Sequence, residues 1–552
     1  VAPLKYSNGK TQEDVIDELI EAFDDYDIVF LKGAVGTGKS VIALHLIKYF
    51  GKGIITTPTK ILEEQYHKDY CTGRFRIGEK NDYLPIEHLM GKTNFRCWRN
   101  PNLKCGNKKL PCCRKLEKGE YRINVASVCP NWSPIYTTIP KSKKRRLPDH
   151  EVIPYESING LKYYLKAPEP CSYYAQFELF TRDNIAMISN LAKWEIETWI
   201  GRKPKVPIEV IDEADDWLDG LSYRTSTSSR FFTYLKREGL VDEDVIEDVS
   251  DEFKILVKKY KNYEGKINVD ISSFIDYFLE EFGGVSISGA VCDRVNKMQL
   301  ISKHEGASYA KIYRGTLTVF IPRPDITLEE LKRRSGKMLL MSATVQDKYV
   351  LSSIFGMRNP KIVYAEEKYA GTLFIKKTEQ ELPVTNKKWQ ANDFKRAYWK
   401  NLEKLIDLAT EPILVQVHAY KYLPEKYKRR INRWIRLRGK KIMFSTVTDR
   451  GIDLRDNMCR SIILMKYPLP NISDVVLRVM RDSLGEGRFW KYVNDMADRG
   501  MVQQFGRAVR NDKDWCEAWV LDSKVLTKLP RLWHGRYSLV NINNNEIIKM
   551  EV

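Results

Sequence analysis

The sequence predicts an α/β chain of two lobes, the first interrupted by two insertions. Three observations lead there. The segment "GAVGTGKS" (33–40) lies between a strand-like apolar run, "YDIVFL", and a helix-like one, "VIALHLIKYF". Apolar strands alternate with helical periodicity in one series ending near residue 364 and in another from about 365 onward. The first series is broken by a stretch rich in Cys, Lys, Arg and Pro (88–180) and by a charged, mostly helical one (220–330). Alternating strands and helices build parallel sheets covered by helices.

Each element has its own warrant. "TQEDVIDELIEAF" carries apolar residues at helical spacing, and "DIVFL" and "GIITTPT" are short apolar strands on either side of the glycine loop and its helix. The first insertion contains the basic run "KSKKRRLP". The α/β rhythm returns in "PIEVIDEADDW", and after the second insertion "KMLLMSAT" restores a strand. The second series runs through "PILVQVHAY", "KIMFSTVT", "SIILMKYP" and "EAWVLDS". The expected division is lobe 1 at 1–87, 181–219 and 331–364, insertions at 88–180 and 220–330, and lobe 2 at 365–552.

Composition narrows the partners. Among 552 residues, 91 Lys and Arg face 72 Asp and Glu, a formal charge of +19. Such a surplus favours a polyanion, nucleic acid before an anionic membrane. No apolar stretch approaches the ~20 residues that span a bilayer. The first residues, "VAPLKYSNGK", lack the apolar segment of a secretory signal. A cytoplasmic location is expected, where the 10 cysteines are reduced, metal-bound or buried rather than paired.

The glycine loop has the form G-x-x-x-x-G-K-S between strand and helix. Gly33, Gly36 and Gly38 let the backbone curl around phosphates, with Thr37 inside the curl, and the helix N-terminus adds positive potential. Lys39 would reach the β- and γ-phosphates of ATP, and Ser40 would hold Mg²⁺. "VIDEAD" ends a strand with Asp212, a second magnesium ligand, and Glu213, a general base for the attacking water. Gln12 is a candidate reader of the adenine edge, or an ordinary helix-surface residue. In "MVQQFGRAVRND", Gln503, Arg507 and Arg510 share one helical face, which suits stabilisation of a γ-phosphate. "FSTVTDRGIDL" (444–454) offers Asp453 to the nucleotide at a strand–loop–helix junction.

Taken in order, GAVGTGKS, TPTK, DEAD, MSAT, TDRGIDL and QQFGRAVR resemble motifs I, Ia, II, III, V and VI of superfamily 2 helicases. With "YPLP" between the last two, the set is similar to the XPD and DinG branch. The resemblance implies two RecA-like P-loop NTPase lobes, ATP between them, and a single strand across their top. Candidate strand contacts are Thr57, Thr59 and Lys60 in motif Ia and Thr446 and Thr448 in motif V. The basic run 426–441 is either a further contact or a solvated basic helix. Motif II spells DEAD where the branch usually has DEAH, and motif III spells SAT rather than SGT. Both spellings are familiar in RNA helicases.

Six cysteines, from Cys97 to Cys171, fall between motifs Ia and II. XPD- and DinG-like helicases carry a four-cysteine [4Fe–4S] domain there, and the phrases around these cysteines are similar to it. The resemblance implies Cys97, Cys112, Cys129 and Cys171 as ligands, with Cys113 the alternative to Cys112 and Cys105 a further one. Four thiolates also suit tetrahedral zinc. The second insertion corresponds in position to the XPD arch, though it is short.

The expected function is therefore an ATP-dependent DNA helicase working 5′ to 3′ on single-stranded and forked DNA, with no membrane partner. The alternatives are an ATP-driven RNA helicase or ribonucleoprotein remodeller, and a nucleic-acid-binding assembly subunit with weak ATPase.

Overall fold

The computed structural model describes residues 4–72, 77–79, 82–97, 100–105, 107, 110, 135–136, 152–158, 160, 162–166, 172–238, 241–283, 289–446, 454, 456–509, 513–544 and 546–551. The first lobe is built on a seven-stranded parallel sheet. Its spatial order is 361–364, 28–32, 337–342, 208–212, 52–57, 185–190, 86–89. The central strand Ile208–Asp212 is buried along its whole length. Parallel strands are buried on both faces because helices cover each side, and the one buried charge mid-strand, Glu209, is paired with Lys203 at 2.7 Å.

Two helices frame the glycine loop. Gln12–Asp25 opens with a capping box, in which Thr11 accepts from the Asp14 amide and Asp14 accepts from the Thr11 amide. Lys39–Phe50 begins after a left-handed Gly38 and stops at a left-handed Gly51. Its buried face, including Ile42, Leu46 and Ile47, shares an apolar cluster with Val15, Leu19 and Phe23 of the preceding helix. In the sheet register Lys32 faces Ser342 and Asp212 faces Met341. The glycine loop, the DEAD turn and the SAT turn therefore leave one carboxyl edge, where open α/β sheets bind ligands.

The second insertion combines helices with an antiparallel sheet. Helices Ser229–Glu238, Glu243–Lys259, Val269–Phe282 and Gly289–Lys303 accompany strands ordered 223–228, 316–321, 309–313, 264–266. The strand component follows from "YRTSTS", whose residues alternate buried and exposed. Phe231, Phe253, Phe274 and Phe278 share one apolar cluster with Val476, Val479 and Met480 of the second lobe. Glu264 also pairs with Arg478 at 2.6 Å. In the described part of the first insertion, strands 135–136, 162–166 and 152–156 form a small antiparallel sheet.

The second lobe has an eight-stranded sheet ordered 434–437, 440–445, 413–416, 461–464, 515–520, 369–377, 535–541, 546–551, parallel except at its two edges. One edge corrects the helical reading of 426–441. After a single turn at Glu425–Lys428, the run forms a hairpin of Trp434–Leu437 and Lys440–Ser445. Arg438 and Gly439 both have positive φ, 52° and 79°, the geometry that a two-residue hairpin turn requires. Arg438 is anchored by Asp407 and Glu403 at 2.6 and 3.0 Å. Among the described residues no helix is long and apolar enough to cross a membrane.

Candidate functional site

The glycine loop is held from outside as well as by its own backbone. Gly36 and Gly38 have φ of +87° and +77°. A Cβ on Gly38 would stand 2.1 Å from Gln12 Nε2, so glycine is needed for the backbone and for the close approach of Gln12. Thr37 donates to the Ala34 carbonyl at 2.9 Å, and the Tyr6 hydroxyl donates to the Thr37 carbonyl at 2.8 Å. Burial pushes the Tyr6 phenol up to about 12, keeping it a donor. The Lys39 ammonium bonds to the carbonyls of Gly33 and Ala34 at 2.6 and 3.1 Å.

Asp212 and Ser40 meet through a tyrosine. Ser40 Oγ donates to the Tyr66 hydroxyl at 2.7 Å, which donates to Asp212 Oδ2 at 2.9 Å. Asp212 Oδ1 accepts from the Glu213 amide at 2.9 Å. Burial and the neighbouring Glu213 push the Asp212 carboxyl up to about 7, with Lys39 and Tyr66 pulling the other way. These hard oxygen donors fit a magnesium ion. Glu213 has φ 51° and ψ 45°, a left-handed backbone that is uncommon outside glycine. Such strain costs roughly 1–3 kcal/mol and clusters at active sites.

Asp215, three residues beyond Asp212, joins the two lobes. Its Oδ1 accepts from Ser342 at 2.7 Å, and its Oδ2 from Thr344 and Gln503, each at 2.8 Å. Gln503 also donates to the Thr344 hydroxyl at 2.8 Å. One turn earlier on the helix Glu486–Phe505, Arg499 reaches Asp215 at 3.3 Å, Asp219 at 2.9 Å and Asp495 at 2.9 Å. Its side chain is 6% exposed. Ala34 of the glycine loop joins the apolar cluster of the second lobe with Phe505, Ala508 and Val509.

The remaining candidates divide by position. Arg507 is buried but does not share a helical face with Gln503 as expected, because the helix ends at Phe505 with Gly506 as its cap. Thr59 caps the Lys60–Tyr66 helix by accepting from the Leu62 amide, Thr57 is buried, and Lys60 is exposed. Thr446 borders a cavity of about 340 Å³ between the lobes, with Asp216, His418, Lys466 and Gln503. Arg510, Thr448, Asp453, Cys112, Cys129 and Cys171 lie outside the described residues. The Cys97 amide bonds to the Leu103 carbonyl at 2.8 Å, beside a bridge between Arg96 and Lys104. Among the described residues no group of three or more His, Cys, Asp or Glu could hold a metal ion. Sequence reasoning did not single out Tyr66, Asp215, Asp219 or Arg499. Only Asp215 carried a signal, as the last letter of DEAD.

Comparison with known proteins fits this geometry. Residues 375–533 match the helicase C-terminal domain family. The whole chain is similar in fold to an XPD helicase, with a TM-score of 0.57 at 15% identity over 95% of this chain and 98% of that one. An apo XPD gives 0.53 at 14% identity over 95% and 99%. Xpd4 of S. tokodaii gives 0.50 at 15% over 94% and 97%. No curated protein matches the sequence. The α/β lobes with their parallel sheets thus resemble RecA-like helicase lobes. The chain thus holds a helicase C-terminal domain at 375–533 and, over nearly its whole length, resembles XPD helicases in fold.

Proposed function

We propose that the chain is a DNA helicase that hydrolyses ATP to move 5′ to 3′ along a single strand and separate duplexes. The observation that carries this reading is the Asp215 junction. It lies beside Asp212 and Glu213 and accepts hydrogen bonds from Ser342 and Thr344 of one lobe and from Gln503 of the other. A change at the phosphates can therefore move one lobe against the other.

In this reading Gln12, Gly33, Gly36, Thr37, Gly38 and Asp453 hold the nucleotide. Lys39 exchanges the carbonyls of Gly33 and Ala34 for the β- and γ-phosphates. Ser40 and Asp212 would hold magnesium, which when bound neutralises charge on the transferring phosphoryl group. Glu213 orients and deprotonates the attacking water. Arg507 and Arg510, with Gln503, stabilise the transition state from the second lobe. Thr57, Thr59, Lys60, Thr446 and Thr448 would grip the strand, aided by the net charge of +19. The cysteine set Cys97, Cys112, Cys129 and Cys171 is proposed for a [4Fe–4S] cluster, with zinc the alternative occupant. The DEAD and SAT spellings favour a second reading, in which the strand is RNA.

The direct test is ATP turnover with and without single-stranded DNA. Strand-stimulated hydrolysis is expected, lost in Lys39→Ala while strand binding persists. Undiminished hydrolysis in that variant would remove the phosphate role of the loop.

A further inference from the structure

Tyr66 belongs to none of the motifs, yet its hydroxyl stands between the two candidate magnesium ligands. Its side chain is 2% exposed. It ends the Lys60–Tyr66 helix, and the chain continues directly into a π-helical turn, His67–Cys71. Wide turns of this kind occur often at functional sites. The helix is also locked one turn earlier. Glu63 bonds to His88 at 2.8 Å and to Asn190 at 3.2 Å, tying it to two strands of the first sheet.

The chemistry of the chain of bonds has a direction. The Tyr66 hydroxyl donates to Asp212 Oδ2 at 2.9 Å, so its proton points to Asp212. The Tyr66 oxygen then accepts, so the Ser40 proton points to Tyr66, at 2.7 Å. Ser40 Oγ thereby spends its proton away from the nucleotide and keeps its lone pairs for a metal. Asp212 is restrained at both oxygens, by Tyr66 and by the Glu213 amide. A phenylalanine at 66 would fill the same space and remove the link from Ser40 to Asp212, leaving the Tyr70 phenol as the other partner of Ser40.

We propose that Tyr66 is a positioning residue for magnesium, its hydroxyl presetting Ser40 and Asp212 as a pair of metal donors. This rests on the reading of the glycine loop as a magnesium–nucleotide site. It adds a residue that touches neither the phosphates nor the metal and acts through the two that hold it.

The test is binding of a fluorescent ADP analogue to the full-length protein, titrated with Mg²⁺ from a metal-free starting point. In Tyr66→Phe the metal-free affinity is unchanged. The Mg²⁺ concentration that gives half of the metal-dependent tightening rises about tenfold, the scale of one hydrogen bond to a charged group. In a Ser40→Ala background the same change gives a smaller shift, because only the bond from Tyr66 to Asp212 is left to lose. An unshifted Mg²⁺ midpoint overturns the proposal. So does an affinity that falls equally with and without metal, since the hydroxyl would then serve only the shape of the pocket. A wild-type protein that binds no nucleotide at all would instead overturn the reading of the loop itself, and the proposal with it.

Discussion

Asp219 is the carboxylate whose surroundings oppose its charge most plainly at the lobe junction. Burial, opposed by Arg499 and reinforced by Asp215, pushes its carboxyl from 3.8 up to about 7. The folded protein therefore keeps a proton that the unfolded chain has already released between about pH 4 and 7. By linkage, this group's contribution to stability falls as pH rises through that window. Asp219→Asn retains an oxygen for Arg499 and cannot titrate. The variant is expected to gain thermal stability relative to the wild type on going from pH 5 to pH 8. A melting difference that is the same at both values would contradict this. In local order the sequence was legible, since the glycine loop runs from a strand into a helix and Asp212 ends a strand. Lys39, Ser40, Asp212 and Glu213 were named from spacing alone. Tyr66, Asp219 and Arg499 were not, because their partners lie 146, 280 and 284 residues away, and no local pattern encodes such contacts.

The helix Glu486–Phe505 carries Arg499 and Gln503 to the first lobe, so its seat decides whether the lobes communicate. Arg499 serves Asp215, Asp219 and Asp495 at once. Arg499→Ala would leave buried carboxylates without their shared cation, a loss of roughly 3–5 kcal/mol where one partner of a buried pair is removed. Urea unfolding should register it, with ATP turnover falling as well. Arg396, 76% exposed in its pair with Asp393, is the control, and Arg396→Ala should shift unfolding little. Equal effects of the two substitutions would deny the junction its role. Elements were legible where apolar runs were long, as in the parallel strands of both lobes. They were not at 426–441, where basic residues mask a hairpin whose signal is the Arg438–Gly439 turn. The cysteine-rich insertion gives a further prediction. Protein purified without oxygen should contain about four irons per chain, as a cubane cluster requires. Cys97→Ser should lose them, and stoichiometric zinc in the native protein would defeat the cluster assignment.

The whole molecule joins two sheets whose chemistry meets at one interface. The first presents Lys39, Ser40, Asp212, Glu213 and Asp215 from its carboxyl edge, and the second brings Gln503 and Arg499 to it on one helix. The division into two lobes with two insertions could be read from alternating periodicity, since each βα unit repeats the same pattern. How tightly the lobes are joined could not, since the Asp215 junction and the apolar contact of the second insertion with Val476 and Met480 are made only on folding. We propose that this interface converts ATP hydrolysis into movement along a nucleic acid strand. Its most direct test is strand displacement on 5′-tailed and 3′-tailed duplexes of DNA and of RNA, with and without ATP. The predicted result is separation of the 5′-tailed DNA duplex only when ATP is present, and none by Lys39→Ala. Hydrolysis of ATP with no displacement of any of the four duplexes would contradict it.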